Sequence, residues 1–199
     1  MNYKTLHFFV EGVHDETFIL EIIKPNIKSH DFVKTIKYAN PGKKNVSGKK
    51  NVSQFLKAIK KIKRDDYIFL ADMNNATRKY VSQAEIDEKK AKIGKKWGCN
   101  PDKIELVILE IEGWYLAGLD ENYQKINEIR NQSERHKIDL KQTNDLTKEQ
   151  FDKLIPKEIS KHEFLVNIIE HFSLKDARQR NKSFDDFFTK YCDFLDIRA

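Results

Sequence analysis

The chain predicts an α/β fold with a mostly parallel central sheet and helices on both faces, and three observations carry that prediction. Short, mainly apolar runs at residues 6–10, 67–71 and 106–111 have the length of buried strands, and the second is continuous, as a central parallel strand should be. Between them lie stretches whose apolar residues recur at helical spacing, so strand and helix alternate as in a doubly wound sheet. Each run also closes on acid: Glu11 after the first, Asp72 after the second, and Glu110 with Glu112 at the end of the third.

The first run, LHFFV, leads through Glu11 and Gly12 into a helix that Asp15 and Glu16 open. Phe18, Ile19, Ile22 and Ile23 form its buried face, and Pro25 marks its end. Gly12 predicts a tight exit that stands Glu11 at the C-terminal edge of the strand, where ligands of open α/β sheets collect. A second strand is expected at residues 32–39, where Phe32, Lys34, Ile36 and Tyr38 alternate with Val33, Thr35 and Lys37.

A tandem repeat follows, GKKNVS at 42–47 and again at 48–53. It imitates a phosphate-binding loop but has one residue too many between its glycines, and Lys50 stands where a magnesium-binding Ser or Thr belongs. It reads instead as a lengthened basic loop whose Lys43, Lys44, Lys49 and Lys50 can touch a phosphate backbone. Val52, Phe55, Leu56, Ile59 and Ile62 then step at helical spacing, with Lys57, Lys60, Lys61, Lys63 and Arg64 on the outer face and end of the helix.

After the second apolar run, YIFLA, comes a charged helix expected over 82–97, with Gly98 beyond its end. Past residue 122 the pattern is helical. Ser160 and Glu163 have capping-box spacing ahead of one aromatic and aliphatic stripe, and Ser183 with Asp186 ahead of another. Two parts are expected: an α/β core over 1–122 and a helical extension over 123–199 packed on the same domain.

At 199 residues, with 39% hydrophobic residues and 13 Phe, the chain is long and apolar enough to bury a sizeable core. Two cysteines far apart, Cys99 and Cys192, indicate neither a disulfide framework nor a zinc site. No apolar run approaches the roughly 20 residues of a membrane span, and the amino terminus lacks the pattern of a signal peptide, so a cytosolic protein without membrane contact is expected. The net charge of +6 favours a polyanionic partner.

Parallel neighbouring strands bring acids at their C-terminal ends within reach of one another, and such a cluster repels itself unless a cation or protons neutralise it. All-oxygen ligands select hard ions, here magnesium or manganese.

These stretches carry a resemblance. VEGVHDETF at 10–18, followed by IFLADMN at 68–74, resembles the Toprim signature, a Glu-Gly after the first strand and an Asp-x-Asp after a later one. ILEIEGWYLAGL at 108–119 and NKSFDDFF at 181–188 are similar to stretches of small standalone Toprim-like proteins related to the nuclease half of the overcoming-lysogenization-defect family. The resemblance implies a Toprim-like Rossmannoid fold and metal-dependent cleavage at phosphodiester bonds of DNA or RNA. Glu11, Asp72 and Glu112 fall on the metal-site positions, with Glu110 and Asn74 beside them. Asn74 departs from the pattern: its amide oxygen can ligate but brings no charge. The resemblance further implies a phage-defence or toxin-like role with a separate ATPase partner, and a homo-oligomer is allowed. Lys175, Arg178 and Arg180 are candidate phosphate clamps, and His14 a candidate proton carrier. The alternative is a non-catalytic nucleic-acid-binding or regulatory module, which Asn74 favours.

Overall fold

The computed structural model describes residues 4–38, 46–73, 81–126 and 129–192, with side chains except at 46–51 and 124–126. Four strands, β1 (Thr5–Val10), β2 (Phe32–Lys37), β3 (Asp65–Asp72) and β4 (Ile104–Val107), form one all-parallel sheet in the order β2-β1-β3-β4. The expected α/β class is therefore observed. Between the strands run α1 (Val13–Phe18), α2 (Val46–Ile59) and α3 (Gln83–Trp97). After β4 come α4 (Glu112–Ala117), α5 (Glu121–Ile126), α6 (Ile129–His136), α7 (Lys148–Asp152), α8 (Lys161–Glu170), α9 (Leu174–Arg180) and α10 (Lys182–Tyr191).

The central position of β1 explains its composition. It pairs with β2 on one side and β3 on the other, placing Phe9 opposite both Ile36 and Phe69, so neither face nor edge meets water. On one face Phe9, Tyr67 and Phe69 pack with Val52, Leu56 and Ile59 of α2 and Trp97 of α3, and the Phe9 and Phe69 rings stack at 4.4 Å. Strand alternation sends Leu6, Phe8, Ile68 and Leu70 to the other face, all buried. There α1 and the π-helical turn after it, Ile19–Ile23, contact β2 and contribute Phe18, Ile19 and Ile23 with no exposed surface.

Some expected boundaries move. Helix α2 begins at Val46, so the second copy of the repeat lies inside a helix and not in a loop. No proline interrupts residues 46–59, and one internal glycine costs about 1 kcal/mol, which the buried stripe of α2 outweighs. Ser82 caps α3 by accepting from the Glu85 amide while the Glu85 carboxylate accepts from the Ser82 amide at 2.9 Å, and Gly98 ends the helix at φ 71, a left-handed position that suits glycine. Ser160 caps α8 as its spacing predicts. Ser183 does not cap α10. That role falls to Asn181, whose side chain accepts from the Phe184 amide, because the Ser183 hydroxyl is taken up between Asn181 and the Trp114 indole.

The largest boundary change is at the third apolar run. β4 starts at Ile104 and stops at Val107, so Ile108 to Ile111 lie outside the sheet. Leu109 adopts φ 62 while only 5% exposed. A buried leucine in the left-handed region stores roughly 1–3 kcal/mol of strain, and such residues persist only where surrounding packing fixes them.

The described chain divides into two compact units. One takes the described residues of Met1–Ala71 and Tyr80–Leu106, with β1, β2, most of β3 and α1–α3. The other takes those of Asp72–Lys79 and Val107–Asp193, with α4–α10. Its core includes Trp114, Phe151, Phe164 and Phe184, all buried, and Trp114 donates to Ser183 at 2.8 Å. The aromatic stripes of α8 and α10 face this core, as their spacing predicts. No helix among the described residues is long and apolar enough to cross a membrane.

Candidate functional site

Parallel pairing of β1 with β3 puts their C-terminal ends on the same edge of the sheet. Asp72 is the last residue of β3, and Glu11 directly follows the last residue of β1. Both are half-buried. The exit after Glu11 is held differently from the sequence expectation. Gly12 is extended, at φ −140 and ψ −173, a conformation that any residue adopts, and an added Cβ would meet only the Asp15 carboxylate at an ordinary 3.6 Å. The turn is instead fixed by Asp15, buried, which accepts from the Gly12 amide at 2.6 Å. Sequence reasoning saw Asp15 only as a helix-opening acid, and its spacing from Gly12 was the available signal. Glu16 reaches β2, accepting from the Thr35 hydroxyl and the Lys37 ammonium at 2.7 Å each; those bonds hold its carboxyl below the ordinary range. His14 is half-buried in the first turn of α1.

In the second unit Glu112 opens α4 and is only 5% exposed. Its carboxylate pairs with Lys161 Nζ at 2.8 Å, and the same ammonium bridges to Asp152 at 2.9 Å while lying over the Phe151 ring. Burial works to lower the Lys161 pKa, but hydrogen bonds to Glu112 and Asp152 outweigh it and leave it raised. Glu110 is pushed the other way for a carboxylate: burial, then the charge of Glu112, raises its pKa. Lys161 and Asp152 are site residues that the sequence did not suggest. Gly113 follows Glu112 because a Cβ there would stand 2.9 Å from the Thr143 carbonyl oxygen, whose hydroxyl in turn donates to the Gly113 carbonyl. Gly113→Ala is accordingly expected to destabilise the protein by about 1–3 kcal/mol, read as a lower midpoint in urea with an unchanged slope.

The other candidates divide. Arg178 is spent on Asp185 at 2.6 Å, on the Thr189 hydroxyl and on the face of Phe188. Arg180, 8% exposed, donates to the carbonyls of Leu119 at 2.8 Å and Ala117 at 3.3 Å and pairs with Glu121 and Asp176. Both therefore serve the fold, whereas Lys175 is exposed. Lys49 and Lys50 are helix positions of α2, while Lys43, Lys44 and Asn74 lie outside the described residues.

A family model matches residues 10–190, from the end of β1 into α10. The chain belongs to the family described as a domain of unknown function, DUF4276. No curated protein and no solved structure matches it. The DUF4276 match takes in Glu11, Asp72, Glu110, Glu112 and Lys161 together, and so covers both units.

Among the described residues of this DUF4276 chain, no group of three or more His, Cys, Asp or Glu is gathered to hold a metal. Magnesium asks for less: it commonly takes one or two carboxylates and completes its octahedron with water and substrate phosphate. Glu11 and Asp72 are carboxylates at the ends of β1 and β3, and Glu112 is paired with Lys161. The cavity of about 320 Å³ in the second unit lies elsewhere, lined by Arg130, Glu134, Asp139, Lys141 and Arg180 among others, with its charges balanced. Cys99 offers no nucleophile, since burial pushes its thiol up to about 11.

Proposed function

We propose that this DUF4276 chain is a magnesium- or manganese-dependent nuclease acting on phosphodiester bonds in the cytosol. The observation that carries the reading is the delivery of Glu11 and Asp72 to one edge of a parallel sheet, where α/β proteins place their ligands. The resemblance of residues 10–18 and 68–74 to the Toprim signature supports it.

A bound divalent ion would polarise the phosphate and lower the pKa of water. Glu11 and Asp72 would supply the oxygen ligands, and Glu11, ahead of the turn that Asp15 holds, would take a proton from water. Lys161 pairs with the buried Glu112 carboxylate at 2.8 Å. A phage-defence or toxin-like role with a separate ATPase partner is what the resemblance implies.

The rival reading, a non-catalytic nucleic-acid-binding or regulatory module, draws on Glu112, whose charge Lys161 already neutralises. Purified protein incubated with plasmid and with transfer RNA separates the two. Cleavage with magnesium or manganese and none with EDTA is expected; binding of either nucleic acid without cleavage in any metal overturns the enzyme reading.

A further inference from the structure

Between Asp31 and Asp65 the chain has eleven Lys or Arg and no acidic residue, although acids and bases total 31 and 37 overall. The net charge of +6 is thus concentrated in this one segment, and the remainder carries more acid than base. The segment is β2, at the sheet edge, and α2. Helix α2 buries Val52, Leu56 and Ile59 and turns outward Lys57; the turns that extend it, closed by Lys60 to Leu56 and Ile62 to Ile59 backbone bonds, expose Lys60, Lys61, Lys63 and Arg64.

Lys57, Lys60, Lys61 and Lys63 make no ion pair among the described residues. Cations in a last helical turn are ordinarily explained by the helix dipole, but that effect reaches only the final turn and does not account for so long a run without acid. Beside the lysines stand two large apolar side chains that are exposed, Phe55 at 49% and Ile62 at 52%. α2 carries the chain from the C-terminal end of β2 to the N-terminal end of β3, parallel strands of one sheet, so it runs back along them for about 21 Å at 1.5 Å per residue.

We propose that this outer face of α2 and the turn after it, residues 55–64, is a docking surface for single-stranded nucleic acid. The lysines follow the phosphates, and Phe55 with Ile62 takes unpaired bases, the pairing of cations with an exposed aromatic that single strands require. The choice of nucleic acid over other polyanions rests on the nuclease reading; the surface itself rests on the charge and exposure above.

The test is fluorescence anisotropy in EDTA, where no cleavage interferes, with a labelled 20-nucleotide single strand, the matching duplex, and phosphatidylserine vesicles as competitor. Single strand should bind more tightly than duplex and resist the vesicles. Changing Lys57, Lys60, Lys61 and Lys63 together to Ala should lower the salt-dependence slope by about 3, at about 0.7 per lost phosphate contact. Phe55→Ala should weaken single-strand binding about tenfold with the slope unchanged. All five positions are exposed, so melting should not move. An unchanged slope in the lysine variant, an inert Phe55→Ala, or preference for duplex or vesicles overturns the inference. Wild type that cleaves but does not bind the single strand in EDTA removes the docking surface alone, and wild type that binds it without cleaving removes the nuclease reading alone.

Discussion

Lys161→Ala is expected to destabilise the second unit by about 3–5 kcal/mol, the usual consequence of stripping one partner from a buried ion pair. The Glu112 side chain is 7% exposed, and Lys161 lies within 2.8 Å of its carboxylate. Without that ammonium the Glu112 carboxylate is left buried and without its cation, which is unfavourable. Glu112→Ala should cost less, about 2 kcal/mol, because Lys161 keeps Asp152 and its long stem can carry the ammonium toward water. Replacing both, Glu112→Leu with Lys161→Met, should recover most of the loss, since the penalty belongs to the unpaired charge. Urea unfolding followed by Trp114 fluorescence, with Trp97 changed to Phe, reads the second unit directly. Equal and additive losses in the two single variants would show that the pair contributes nothing beyond packing.

Glu11→Ala and Asp72→Ala are each expected to reduce cleavage about a thousandfold or more, corresponding to the several kcal/mol that a polarising ion supplies. Neither should lower the melting temperature. Both side chains are half-buried at a strand end, outside the packed interior of Phe8, Phe9 and Phe69. Asp15→Ala should behave differently. It deprives the Gly12 amide of its acceptor, so the turn that aims Glu11 loosens, and both stability and cleavage should fall. Initial rates and melts on the same three preparations distinguish a ligand from a residue that only shapes the turn.

The sheet was legible because its central strands are largely buried on both faces: residues 6–10, apart from His7, and 67–71 are apolar for the same reason that β1 has neighbours on both sides. The acids at their ends were legible with them. The third run misled because an apolar stretch does not by itself separate a strand from a buried turn, and nothing in ILEIEG announces that Leu109 turns left-handed. Lys161 was invisible for another reason. Its partnership with Glu112 joins α4 to α8 through tertiary packing, and in sequence it is one lysine following a capping serine. Arg178 and Arg180 read as a basic cluster, yet local neighbours and carbonyls absorb them. Spacing reveals which face a residue is on, but not what it meets there.

The central claim is that an ion held through Glu11 and Asp72 drives phosphodiester cleavage. It is tested most directly by cleavage rate against magnesium concentration for wild type, Asp72→Ala and Asn74→Asp. Asn74 brings only a neutral oxygen, so wild type should need high magnesium or prefer manganese, Asn74→Asp should reach half-maximal rate at lower magnesium, and Asp72→Ala should stay flat. A wild type and Asn74→Asp that are both inert at every concentration, or an Asp72→Ala that cleaves as wild type does, would contradict it.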